Sequence, residues 1–133
     1  MKHCKDVCFE VSHISNILTG LRDDTRISSA PVLMSLGYAL TINPDDPGKF
    51  GYEDSTVDYF SSLISFNWGL KELKLLGIHS INHAICSEEE RRRLLESFNQ
   101  RWDSWVNELI QNNWFVDWLS ICSFIKLFSL QLK

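Results

Sequence analysis

The chain has 133 residues, of which 44% are hydrophobic and 23% charged, and this size predicts a single globular domain over residues 1–133. The formal net charge of −4 at pH 7 argues against a broad electrostatic grip on DNA or RNA, which needs clustered excess cation. The four cysteines lack the dense spacing of a secreted disulfide scaffold, and the first ten residues hold no apolar run typical of a signal peptide. We therefore expect a cytoplasmic protein.

Apolar spacing predicts six helical stretches, and no convincing strand pattern competes with them. The first covers residues 4–21, with apolar side chains recurring on one face. The second begins near Ser29, a plausible N-cap, and has Pro31 in its first turn, where the missing N–H costs nothing. Pro44 prevents this helix from continuing beyond about residue 42.

A loop rich in proline and glycine is predicted for residues 43–52, followed by a third helix over residues 55–65. The fourth helix begins with Asn67 as its cap and extends to about residue 86. Its apolar arc is wide, which indicates a central helix packed by neighbours on several sides. Three small side chains would let another helix approach it closely: Gly77, Ser80 and Ala84.

The fifth helix has the clearest start, because Ser87 and Glu90 have the spacing of a capping box. A break near Asn112 precedes a last apolar stretch over residues 114–132. This stretch carries charges, so we expect it to pack in the core and not to anchor the chain in a membrane. The predicted fold class is all-α, a helical bundle around a central hydrophobic helix.

Three short motifs in this order resemble the Bcl-2 family. Residues 66–69, with the string Phe-Asn-Trp-Gly, resemble the BH1 signature at the start of a buried helix. Residues 109–114, Leu-Ile-Gln-Asn-Asn-Trp, are similar to the BH2 region, and residues 33–37 have the Leu-x-x-x-Gly spacing of a BH3 motif. The family resemblance spans most of the chain.

The resemblance implies a Bcl-2-like bundle that inhibits apoptosis by holding the BH3 helices of pro-apoptotic proteins of the Bim, Bak or Bax type in a hydrophobic groove. Such a protein is not an enzyme and needs neither a cofactor nor a metal, and it acts in the cytoplasm or at the mitochondrial outer surface. By the same resemblance, six residues should line the groove: Val57, Phe60, Asn67, Gly69, Leu70 and Leu73.

Departures from the family pattern predict a narrower range of ligands. The family usually has an arginine after Asn-Trp-Gly, where this chain has Leu70, so the aspartate of an incoming BH3 helix would lack its usual partner. A form this compact and diverged looks like a viral homologue, of the kind carried by large DNA viruses such as iridoviruses.

Two other functions stay open from the residues alone. An unoccupied apolar groove would promote self-association, so the chain could be a helical interaction module that forms a homodimer. A metal-dependent enzyme is the third hypothesis, because His79 and His83 lie one helical turn apart and two imidazoles on one face can chelate an ion. A polar helix face is the more ordinary role for such a pair.

Overall fold

A computed structural model describes residues 7–111 of the chain. Two short parallel strands and six helices follow one another in the order β1 (Cys8–Val11), α1 (His13–Leu18), α2 (Ala30–Ser35), β2 (Ala39–Ile42), α3 (Pro47–Phe50), α4 (Thr56–Phe66), α5 (Leu70–Asn82) and α6 (Glu88–Gln111). Whether residues 1–133 form one domain stays a prediction. The predicted break at Asn112 and the last apolar stretch lie outside the described residues.

The strands pair directly although about thirty residues separate them. Cys8 is in register with Ala39, and Val11 with Ile42. The connection between the strands passes through α1 and α2, as a parallel pair requires a long crossover. The ladder continues beyond the strands, because the Asn43 N–H donates to the Val11 carbonyl at 3.1 Å.

The prediction of an all-α, Bcl-2-like bundle is wrong, because two of its predicted helices each contain a strand. β1 interrupts the first of them, and β2 lies in the second half of the other. Gly37 follows α2 with φ of 81°, a left-handed conformation that turns the chain away from the helix. β2 can then begin as an extended segment. Strands of only four residues are too short to show an alternating pattern against the helical one.

The core lies between β2 and the long helices. Leu40 of β2 and Leu76 of α5 are fully buried, and α5 packs against β2 on one side and α6 on the other. At Gly77, an added Cβ would lie 2.7 Å from Phe98 Cζ, which is too close for any other residue without a shift. The predicted close approach of another helix at Gly77 is therefore confirmed, although the packing is not that of a Bcl-2 bundle.

Among the described residues, no helix has both the length and the apolar character that crossing a membrane demands.

Candidate functional site

The loop after each strand lies at the same edge of the sheet, because β1 and β2 run parallel. In open parallel sheets, ligands bind outside the carboxyl ends of the strands. At this edge β1 leads into the start of α1, and β2 leads into residues 43–46, which we call the edge loop. The edge loop ends in two consecutive carboxyl groups, those of Asp45 and Asp46, and both residues are exposed.

A side chain of α1, the helix that follows β1, holds Asp45 in place. The Ser15 hydroxyl donates to Asp45 Oδ2 at 2.7 Å, across thirty positions of sequence. Asp45 adopts φ of 63°, a left-handed conformation that aspartate tolerates better than most residues. Asp46 then precedes α3 at the N-cap position. This hydrogen bond therefore joins α1 to the edge loop and orients the Asp45 carboxyl group.

Beneath this edge, α1 contributes a buried histidine. His13 is 3% exposed, and burial lowers its pKa from 6.5 to about 4, so its imidazole is neutral at neutral pH. Its Nδ1 lies 3.4 Å from the Ser62 hydroxyl of α4. Its Nε2 has no hydrogen-bond partner within residues 7–111. The ring also packs edge-on against Phe66.

A tyrosine links the edge loop to a buried aspartate of α4. The Tyr52 hydroxyl oxygen lies 3.1 Å from the Pro44 carbonyl oxygen and 3.3 Å from Asp58 Oδ1. Asp58 is fully buried, and burial raises its pKa from 3.8 to about 6. Burial, together with the neighbouring Asp58 carboxyl, also raises the pKa of Tyr52 to about 12. Tyr52 therefore keeps its proton throughout the physiological range.

The six predicted groove residues differ in their surroundings. Leu73 is 3% exposed and belongs to the core, whereas Val57 is 46% exposed on α4. Asn67 has φ of 52° and ends α4, so it does not begin the next helix. The Gly69 N–H donates to the Glu72 carboxylate at 2.9 Å and thereby begins α5. The remaining two residues, Phe60 and Leu70, are half-buried. As a binding surface, this set stays a prediction.

An apolar groove of about 400 Å³ does lie on the surface, but between α5 and α6. Leu70 is the one predicted groove residue that lines it. The other lining residues belong to the same two helices: Lys71, Lys74, Leu75, Ile78, Trp102 and Val106. The Lys74 ammonium lies 5.6 Å from the centre of the Trp102 ring.

Of the two histidines in the hypothesis of a metal-dependent enzyme, His79 has a structural role. His79 Nδ1 accepts the Leu40 N–H at 3.1 Å and so satisfies a backbone donor of β2, while burial lowers the pKa of this imidazole. His83 is exposed at the end of α5. Among the residues that the structure describes, no three His, Cys, Asp or Glu side chains are grouped so as to hold a metal ion.

Comparison with known proteins gives a consistent result. No family model and no solved structure matches the chain. Adenosine deaminase 2 of Sus scrofa is 35% identical over 108 residues, and that of Dictyostelium discoideum is 33% identical over 106 residues. An adenine deaminase of Acinetobacter baylyi is 32% identical over 92 residues. The chain is similar to deaminases.

These similarities cover 79%, 79% and 68% of this chain, but only 21%, 20% and 27% of the respective deaminases. The chain thus spans about a fifth to a quarter of the length of the curated relatives that it matches.

The deaminase relatives contradict the resemblance to the Bcl-2 family and the function and partners inferred from it. The predictions of a non-enzymatic apoptosis inhibitor, of a viral homologue, of BH3 helices as partners and of a homodimer formed through the groove are wrong, because the relatives are named as enzymes. The BH1 match had a local cause: Asn-Trp-Gly is a tight link between two helices, with Asn67 ending one and Gly69 beginning the next. The enzyme hypothesis is closer to these findings, although the edge loop and not the histidine pair is the better candidate site.

The sequence predicts a loop over residues 43–52 but not its role as a candidate site, because both strands of the sheet are assigned to helices. One signal is present in the sequence: two consecutive aspartates between Pro44 and Pro47, shortly after the mostly apolar segment of residues 39–42.

Proposed function

We propose that this chain forms part of a hydrolytic deaminase for adenosine or a related aminopurine, and that the edge loop contributes to its active site. The observation that supports this most directly is the Asp45–Asp46 pair at the carboxyl edge of parallel strands, with Asp45 oriented by Ser15. The similarity to adenosine and adenine deaminases supplies the reaction class and the substrate class.

Deamination of an aminopurine replaces an amino group by an oxygen. Water adds to the ring carbon that bears the amino group, the carbon–nitrogen bond breaks, and ammonia leaves as a ring carbonyl forms. One group must accept a proton from the water, and one must donate a proton to the departing amine. A carboxyl group can do either, and it can also accept a hydrogen bond from the substrate's amino group.

The geometry suggests how the two aspartates divide this work. Ser15 occupies Asp45 Oδ2, so we assign Asp45 Oδ1 to contact the water or the substrate. Asp46 is exposed beside it and is assigned to hydrogen-bond the purine. Metal ions often activate water in hydrolytic enzymes. The described residues hold no group of three ligands for such an ion, so the roles assigned to this chain are those of its two aspartates.

A chimera tests the proposal. The 108 residues of Sus scrofa adenosine deaminase 2 that match this chain are replaced by their counterparts here, and adenosine turnover is followed by ammonia release. We expect the chimera to deaminate adenosine and the Asp45→Asn variant to lose about 100-fold or more in kcat/KM, the size typical of a lost acid–base group.

Asp23→Asn is the matched control, because Asp23 is also an exposed aspartate but lies away from the edge loop in sequence. It should keep the activity of the chimera. A folded chimera without activity, or one whose activity survives both Asp45→Asn and Asp46→Asn, would disprove the proposed function.

A further inference from the structure

Tyr52 has one hydroxyl hydrogen but two acceptors within reach. Its oxygen lies 3.1 Å from the Pro44 carbonyl oxygen and 3.3 Å from Asp58 Oδ1. A phenol can donate to only one of them at a time, and a carbonyl oxygen can never donate back. Both contacts are therefore satisfied together only when Asp58 itself carries a proton and donates it to the Tyr52 oxygen.

We propose that Asp58 and Tyr52 are positioning residues for the edge loop, and that the protonation of Asp58 decides whether Tyr52 holds the Pro44 carbonyl. With Asp58 neutral, its O–H donates to Tyr52 and the Tyr52 O–H donates to Pro44, which is the residue before Asp45. With Asp58 ionised, the charged oxygen attracts the Tyr52 hydrogen, because charge-assisted hydrogen bonds are the stronger kind. The Pro44 carbonyl then loses its donor.

Because Asp58 is buried, its ionised state depends on the few donors within reach. Asp58 is fully buried, and its Oδ2 has no hydrogen-bond partner within residues 7–111. An ionised carboxylate in such a place needs hydrogen-bond donors, and beside the backbone N–H of Asp58 itself, the Tyr52 hydroxyl is a side-chain donor in contact with it. Burial also raises the pKa of Asp58 to about 6, so both states are populated near neutral pH.

The other ionisable groups described around Asp58 and Tyr52 are two aspartates and a neutral histidine. Asp54, on the segment before α4, raises the pKa of Asp58 through its charge. Asp45 acts on Tyr52 from the edge loop and raises the pKa of that phenol. His13 approaches α4 from α1 through Ser62, whose hydroxyl donates to the Asp58 backbone carbonyl at 2.8 Å. Since His13 is neutral at neutral pH, it supplies no cation to hold Asp58 ionised.

Only the expected effect of this hydrogen-bond exchange on enzymatic activity rests on the proposed function. If the edge loop binds the aminopurine, Asp45 and Asp46 are held in place below about pH 6 and are less constrained above it. We expect the chimera to lose about 5-fold in kcat/KM as the pH rises through this midpoint, the effect of one ordinary hydrogen bond.

Nuclear magnetic resonance on the full chain tests this exchange of hydrogen bonds and requires no enzymatic activity. The carbonyl carbon of Pro44 and the carboxyl carbon of Asp58 are followed from pH 4.5 to 8. In the wild type, both resonances should move with one midpoint near 6. In Tyr52→Phe, the Asp58 carbon should still titrate while the Pro44 carbon stays still, and in the matched control Tyr38→Phe both should move as before.

Asp58→Asn provides the second variant, since its amide always offers an N–H to Tyr52. It should keep the Pro44 carbon at its acidic position at every pH, and in the chimera it should abolish the 5-fold fall in kcat/KM. The proposal is overturned if the Pro44 carbon does not titrate in the wild type, or if it titrates unchanged in either variant. An inactive chimera with the expected Pro44 titration would refute the proposed function alone.

Discussion

At the scale of single residues, His13 and Asp58 give the native state opposite responses to acid. Burial lowers the pKa of His13 from 6.5 to about 4, so between these values the unfolded chain takes up a proton that the native state does not. His13 therefore lowers stability as the pH falls. Burial raises the pKa of Asp58 from 3.8 to about 6, so the native state retains a proton that the unfolded chain has released. Asp58 therefore raises stability as the pH falls.

The two effects should nearly cancel between pH 7 and pH 4, because each shift of two units or more corresponds to about 3 kcal/mol. Relative to the wild type, Asp58→Asn should lose up to about 3 kcal/mol in its free energy of unfolding on going from pH 7 to pH 4. His13→Gln should gain a similar amount over the same range. Urea unfolding at several pH values measures both.

Asp23→Asn, at an exposed position, serves as the control and should follow the wild type. Variants of His13 and Asp58 whose stabilities change with pH in the same direction would show that burial does not govern these two groups.

At the scale of elements, the end of α5 depends on an arginine from the following helix. Arg91 donates through Nη1 to the Ile81 carbonyl at 2.9 Å, contacts the Asn82 carbonyl and reaches the Ala84 carbonyl through Nη2 at 3.4 Å. The last carbonyls of a helix lack partners within it, and a cation there also meets the negative end of the helix dipole.

Arg91→Met should therefore lower the free energy of unfolding by about 2 kcal/mol, as expected when hydrogen bonds to a charged group are lost. Arg92→Met is the matched control, because Arg92 is the exposed neighbour on the same helix turn, and it should change stability by less than about 0.5 kcal/mol. Urea unfolding of both variants measures these changes in the free energy of unfolding. Equal losses would mean that helix propensity, not the carbonyl contacts, causes the effect.

The sequence predicts the long helices of this fold but not its strands. The capping box at the start of α6 is confirmed, since the Ser87 N–H donates to the Glu90 carboxylate and the Glu90 N–H approaches the Ser87 hydroxyl. The helix predicted over residues 55–65 coincides closely with α4. Over 11 to 24 residues, helical periodicity and caps repeat often enough to identify an element. In a four-residue strand, the same apolar side chains fit either pattern.

At the scale of the whole molecule, the candidate site was beyond prediction because it depends on contacts distant in sequence. Ser15 meets Asp45 across thirty positions, and this contact exists only because β1 and β2 pair in parallel. A prediction that assigns both strands to helices cannot bring these two side chains together. The aspartate pair was visible, but its neighbours in space were not.

The same two strands predict how the chain behaves on its own. Parallel sheets in proteins are covered on both faces by other elements. The parallel sheet in the described part of this chain has only two strands, so we expect further protein to pack around it. Many of its large apolar side chains are more than half exposed, among them Leu18, Leu21, Ile27, Val32 and Leu36. Exposed apolar surface of this kind marks places where further protein packs.

We therefore expect the isolated chain to bind the dye ANS, while the chimera, in which the remaining segments of the relative are present, binds little. The near-ultraviolet circular dichroism of the chain must be recorded beside it, because a loosely packed state would also bind the dye but would lose that signal. A chain with native aromatic dichroism and strong ANS fluorescence would show that a well-packed chain exposes apolar surface that the rest of the chimera covers. If the chain and the chimera bind equal amounts of dye per mole, these apolar side chains are ordinary surface residues, and the rest of a deaminase does not cover them.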